Sequence, residues 1–388
     1  MRALVEAAAG PEPRPSALGR RLTLDKSLAS RLVRAVSAGS EPEFLHYVPS
    51  PAGLQILIEA ARSGEMDPAI VDRLDSDVDR FRDLLNSLSG GRADLEALIS
   101  DEASQVRQRA MRSASQSIFR GTSALLGYES ASLSSALLVV PSAHPDYLDA
   151  VEVQQRVAIR RLRPTAAIGV LRVAMTAPSW DGEDGLSFLT VEGNPIRRPE
   201  DVILADHSDA TPSEFEVVGD GEDVTLILAE EQAALRDPIT VTSALRMQRA
   251  FHRYRTDEAA EGVRTYRIQI PCKRMVRTVF IHDDCHCGPP VFTFELPRPG
   301  RDTGVREEGL LARVGSIDLD APVAALGRGI RNAGIRGIPR FLDALRDVFR
   351  RADLPPGQFH GYSIDVPYPV AFVHTRCWLP LEEPTLPN

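Results

Sequence analysis

Cysteine is scarce in this 388-residue chain: four residues, at 272, 285, 287 and 377, all in the last third. That crowding does not make the framework that staples small secreted domains, so reduced thiols are expected. No run approaches the roughly 18 consecutive apolar residues of a membrane-spanning helix, and no membrane partner is expected. The opening MRALVEAAAG is too short and too charged for the apolar stretch of a secretory signal, so the expected location is the cytoplasm. Lysine occurs twice, at 26 and 273, against 43 arginines. So general an arginine excess reads as a habit of a GC-rich genome and is not by itself a nucleic-acid signal. The chain also lacks a Gly-x4-Gly-Lys-Ser/Thr phosphate loop, a Gly-x-Ser-x-Gly nucleophile elbow and any internal repeat.

What is present begins near the N-terminus, where residues 16–36 read SALGRRLTLDKSLASRLVRAV. Leu18 and Leu22 fall on one helical face with small Gly19 beside them, and Leu28, Leu32 and Ala35 recur at helical spacing with Ala29 keeping the crossing narrow. Leu24 is an apolar plug between the two segments, and Asp25 or Thr23 is placed to cap the second. Lys26, Ser27, Ser30, Arg31 and Arg34 are left facing outward. The stretch resembles the helix-turn-helix of bacterial transcription regulators, over about the first 40 residues. It departs from that pattern at Gly19, where alanine is commonest, and at Thr23, where a turn glycine is commonest. A β-branched Thr23 is expected to resist positive φ.

The resemblance implies double-stranded DNA as partner, with Lys26, Ser27, Ser30, Arg31 and Arg34 meeting base edges and Ser16, Arg20 and Arg21 meeting phosphates. Charge adds independent support. From Arg14 to Ala38 six basic residues stand against the single acid Asp25, a local +5 inside a chain of net charge −9. The competing reading is a helical hairpin that only builds a core, in a non-enzymatic assembly protein.

Further along, Pro42, Pro49 and Pro51 mark a turn-rich connection, followed by a helix from Ala52 to about Ser63. Asp67-Pro68 then opens a helix in which Val71, Leu74, Val78, Phe81, Leu85 and Leu88 alternate at three- and four-residue spacing. Intramolecular packing is the first expectation for that seam and a homodimer the second. A second amphipathic helix from Ala93 to about Phe119 completes an antiparallel hairpin.

From Leu133 short apolar or alternating runs separated by Pro, Gly and Asp predict strands, closed by a helix over 339–352 and a last strand ending near Pro380. The stretches 178–215 and 298–309 read as loops, and 326–340 as a flexible basic loop. SALRMQRAFHRYRT (243–256) reads as a helix with an inward aromatic face, and only secondarily as a base-stacking surface. The fold class is therefore α+β. A helix-turn-helix region (1–50), a helical connector (51–130), an α+β ligand- or partner-binding domain (131–380) and a tail (381–388) are expected. That large domain would bind an unidentified small-molecule or protein effector.

The enzyme alternative rests on thiols. Cys285, Cys287, His374 and Cys377 make a weak metal set, because Cys-x-Cys lacks the turn that wraps a tetrahedral ion. Cys272 with His252, or Cys285 with His360, are chance-level nucleophile pairs. No cofactor, metal or catalytic residue is expected.

Overall fold

The computed structural model describes residues 1–88, 91, 92, 94, 95, 104–174, 186–211, 214–219, 223–229, 237–256, 260–297, 315–319, 321–333, 338 and 340–384. The chain is α+β and divides into two compact units, residues 1–114 and 115–388.

The first unit is helical: α1 (Arg2–Ala9), α2 (Pro15–Leu22), α3 (Lys26–Val36), α4 (Glu41–Tyr47), α5 (Pro51–Ser63) and α6 (Pro68–Ser87). Helix starts are chemically marked. Side-chain oxygens of Asp25, Ser40, Ser50 and Asp67 accept free N–H groups of α3, α4, α5 and α6, and Pro15, Pro51 and Pro68 occupy first turns where a missing N–H costs nothing. One apolar core joins Leu4, Leu18, Leu32, Leu57 and Val71 from α1, α2, α3, α5 and α6. The expected boundary at residue 50 therefore runs through a shared core.

The α6 seam is used inside this unit. Val71, Leu74 and Val78 are buried in the core, while Phe81, Leu85 and Leu88 pack around Leu95 and Leu45. The start of the second expected helix lies partly outside the described residues. Its continuation is α7 (Ser104–Leu126), within which the division between the two units falls.

The second unit holds three sheets built from β1 (Tyr128–Glu129), β2 (Ser132–Pro141), β3 (Tyr147–Arg161), β4 (Ile168–Ala174), β5 (Ser187–Leu189), β6 (Phe215–Gly219), β7 (Asp223–Leu228), β8 (Ile239–His252), β9 (Glu261–Arg267), β10 (Arg274–His282), β11 (Val291–Glu295), β12 (Ala324–Arg328), β13 (Phe359–Pro367) and β14 (His374–Pro380). The largest sheet runs β12-β13-β10-β2-β3-β8-β5, with β1 also paired to β3. Among the described residues its one parallel strand pair is β10 with β2. One face packs against α8 (Phe341–Arg351) through Phe280, Phe349 and Phe359. The other faces the three-stranded sheet β11-β14-β9. The third sheet, β4-β7-β6, encloses its own cluster around Ile168, Val170 and Leu226.

Two corrections concern strands. Residues 243–256 are not a helix: most belong to β8, whose long pairing is with β3, a strand the sequence reading does not identify. Polar and charged side chains bond between the two strands. Asp149 accepts from Arg246 Nη2 at 3.1 Å, and Gln155 Nε2 donates to Thr242 Oγ1 at 3.1 Å. Register shifts sit beside Arg249 and Ala158, two non-glycine residues with positive φ, and the Arg249 N–H donates to Asp149 Oδ1 at 3.0 Å.

The expected loop over 178–215 contains β5 and two short 3₁₀ turns in its described part, and the loop over 326–340 includes the end of β12 and another 3₁₀ turn. Residues 298–309 lie outside the described residues.

Candidate nucleic-acid interface

The turn between α2 and α3 is held by backbone and side chain together. Thr23 ends α2 with φ 53° and ψ 40°, and the N–H groups of both Thr23 and Leu24 donate to Gly19 O. Thr23 therefore adopts the left-handed conformation it was expected to resist, because the buried Leu22 and the half-buried Leu24 fix the chain on either side. Gly19 has a steric reason. A Cβ there would stand 3.2 Å from Leu24 O and 3.7 Å from Ala29 Cβ, so the two helices cross closely.

Asp25 starts α3. Its Oδ1 accepts from the N–H of Ser27 at 2.7 Å, the N–H of Leu28 at 2.9 Å and the Ser27 hydroxyl at 2.5 Å. These bonds, the Ser27 hydroxyl's first, hold the Asp25 carboxyl below its ordinary pKa. One face of α3 is buried through Leu28, Ala29, Leu32, Ala35 and Val36. On the other, Lys26, Ser27, Arg31 and Arg34 are exposed and Ser30 is half-buried. Ser16, Arg20 and Arg21 of α2 are exposed as well, and Arg20 Nε donates to Ser16 O at 3.3 Å. All eight residues expected to meet DNA thus lie on the outside of one hairpin.

The structure adds α4, which the sequence reading treats as a turn-rich connection. Pro42 sits in its first turn, where proline is tolerated, and Ser40 and Glu43 bond the N–H groups at its start. At the other end Arg92 donates to the carbonyls of Val48 (3.2 Å), Leu45 (2.7 Å) and His46 (2.7 Å). A guanidinium there satisfies carbonyls that have no partner within the helix and complements its negative end. So fixed, α4 sets His46 and Tyr47 opposite α3. Arg31 Nε donates to Tyr47 O at 3.1 Å, and the Arg34 guanidinium lies 6.0 Å from the Tyr47 ring centre. Ser27, Ser30, Arg31, Arg34, His46 and Tyr47 line an open cleft of about 520 Å³. His46, Tyr47 and Arg92 have no periodic signature. The one hint in the sequence is the Ser40-x-x-Glu43 start that precedes them.

The weak metal set does not assemble. Cys285, Cys287 and Cys377 belong to one apolar cluster, but His374 lies on β14 at odd spacing from Cys377 and so on the opposite face of the strand. Among the described residues no three His, Cys, Asp or Glu side chains are grouped to hold a metal ion. Burial pushes the Cys272, Cys287 and Cys377 thiols up to about 12 and the Cys285 thiol up as well. None is a ready thiolate at neutral pH.

No family model matches the chain, and no curated protein matches it.

Proposed function

We propose that the chain is a sequence-specific DNA-binding transcription regulator, with α2 and α3 as its reading head and the C-terminal unit as a sensing or assembly domain. The division of α3 carries this reading: an apolar face sunk in the core and a Lys/Ser/Arg face outside, capped at the end that would enter the major groove. Lys26, Ser27, Ser30, Arg31 and Arg34 then meet base edges, and Ser16, Arg20 and Arg21 hold phosphates. Arg31 exchanges its bond to Tyr47 O for one to DNA. A homodimer would place two such heads about one helical turn apart on a palindromic site.

The contacts of Arg31 and Arg34 with Tyr47 favour a second reading, in which these arginines brace α4 and the unit serves protein assembly. Fluorescence anisotropy with random and genomic duplex DNA across a salt series separates the two. The DNA reading expects steeply salt-dependent binding that Arg31→Ala/Arg34→Ala weakens. Absence of binding at low salt overturns it, and the assembly reading then expects the double variant to lower the melting temperature of the helical unit.

A further inference from the structure

We propose that the C-terminal unit binds a small dianionic oxyanion, of the phosphate or sulfate type, in an arginine-lined belt buried between its two facing sheets. This holds whether or not the N-terminal unit binds DNA.

Strand parity and register place the belt. On the large sheet Glu152, Gln154 and Arg156 share one face of β3. The register sets Gln154 beside Ser135 and Ser135 beside Arg277. Arg277 thus stands two strand spacings, about 10 Å, from Gln154, with only the small Ser135 side chain between them. From the opposing sheet come Arg264 and Tyr266 of β9, in register with Cys377 and Thr375 of β14. Apolar clusters close the belt on either side, one around Val139, Val279 and Leu379, the other around Leu133, Met275 and Phe294.

Inside it the charges do not balance. Arg264 forks onto Glu152, and Gln154 Nε2 donates to the other Glu152 oxygen at 2.9 Å. Burial raises the pKa of Glu152, but Arg264 and Arg277 more than reverse this and the carboxyl stays ionised. Arg156 and Arg277 are 3% and 1% exposed and make no ion pair within 4.0 Å among the described residues. Among the described residues one carboxylate therefore faces three guanidinium groups, leaving two positive charges in excess, and buried charge is costly unless paired.

The open donors have the right shape. Arg277 is fixed by Nη1, 3.5 Å from Thr375 O, and by the Tyr266 ring 5.3 Å from its guanidinium carbon. Its Nε and Nη2, the edge that binds two oxygens side by side, have no hydrogen-bond partner among the described residues. Arg156 is fixed by Nη2, which donates to Gln154 Oε1 at 2.7 Å, and its Nη1 is likewise unpartnered. Arg264, with a quarter of its side chain exposed, marks the solvent side of the belt.

Neither tryptophan falls within residues 1–114, and Trp378 is buried in the C-terminal unit, so tryptophan fluorescence reports the unfolding of that unit. The test is the thermal midpoint of the full chain in sodium phosphate and in sodium sulfate, against sodium chloride at matched ionic strength. Either dianion is expected to raise the midpoint saturably over chloride, with the shift lost in Arg277→Met and reduced in Arg156→Met and in Arg277→Lys, which keeps the charge without the fork. A rise that never saturates and persists in the variants is general salt exclusion and overturns the proposal, as does no rise over chloride. Should the variants fail to fold, equilibrium dialysis of the wild-type chain and of Arg20→Ala/Arg21→Ala against radiolabelled phosphate decides: one ion held per chain by both supports the site, and no ion, or an ion lost with Arg20 and Arg21, overturns it.

Discussion

Asp25 Oδ1 accepts three hydrogen bonds at the start of α3, and two consequences follow for the helical unit. Asp25→Ala removes an acceptor that nothing else supplies and lowers the melting temperature followed by circular dichroism at 222 nm, whereas Asp25→Asn retains much of the cap at pH 7. Because the folded carboxyl titrates below its unfolded value near 3.9, its charge stabilises the unit above that value, and the benefit is lost as pH falls through the lower, folded one. The melting temperature of Asp25→Asn should accordingly change less than that of wild type between pH 7 and pH 3, and an equal change would contradict the assignment. Glu152 is the same argument in a buried setting. Glu152→Gln leaves Arg264 and Arg277 without their carboxylate and should destabilise the C-terminal unit by about 3 kcal/mol or more in urea unfolding read by tryptophan fluorescence. A loss under about 1 kcal/mol would mean that the charges are compensated elsewhere.

At the scale of elements, the α2–α3 turn stores strain that a different residue would release. Thr23→Gly should stabilise the helical unit by roughly 0.5–1 kcal/mol, since glycine avoids the left-handed penalty of a β-branched residue but loses more entropy on folding. In the large sheet, the Phe280 ring of β10 lies over Gly361 of β13 because Gly361 has no side chain. A Cβ there would meet Phe280 Cε1 at 2.9 Å and Leu326 Cβ at 3.2 Å. Gly361→Ala should cost about 1–3 kcal/mol through overpacking, measured by the same urea unfolding. β3 and β8 show why strand reading fails locally. Period-2 alternation is visible only where one face is apolar, and β3 buries Asp149, Glu152, Gln155 and Arg156, with Asp149 bonded to Arg246 and Gln155 to Thr242 of β8 and Glu152 to Arg264 of the opposing sheet.

For the whole molecule, the net charge of −9 makes local charge decisive in any contact with nucleic acid. Under the DNA reading, the slope of log K against log salt should shrink by about two on removing Arg31 and Arg34 if both neutralise phosphates, and by less if they read base edges. A salt slope unchanged by the double variant would assign the electrostatic contact to Arg20, Arg21 and Lys26 instead. The two units also bear on one another's interpretation. The helical unit offers cations on its outside, whereas the C-terminal unit buries Arg156 and Arg277 within.

The sequence by itself determined the α+β class, the two short helices on either side of the Thr23–Asp25 turn with a cap at Asp25 or Thr23, the outward set from Lys26 to Arg34, the seam of α6 and most of the short strands. These are local: helical periodicity, cap chemistry and apolar alternation act over a few residues and are written in consecutive positions. Only the tertiary structure decided that α4 turns back to set Tyr47 against Arg31 and Arg34, since Arg92 fixes it from 44 to 47 residues away. It likewise decided that β3 pairs with β8, that His374 stands apart from the three clustered cysteines, and that Arg156 and Arg277 share a buried belt with Glu152. Each depends on strand register or on a side chain reaching across the chain, and neither leaves a local pattern to read.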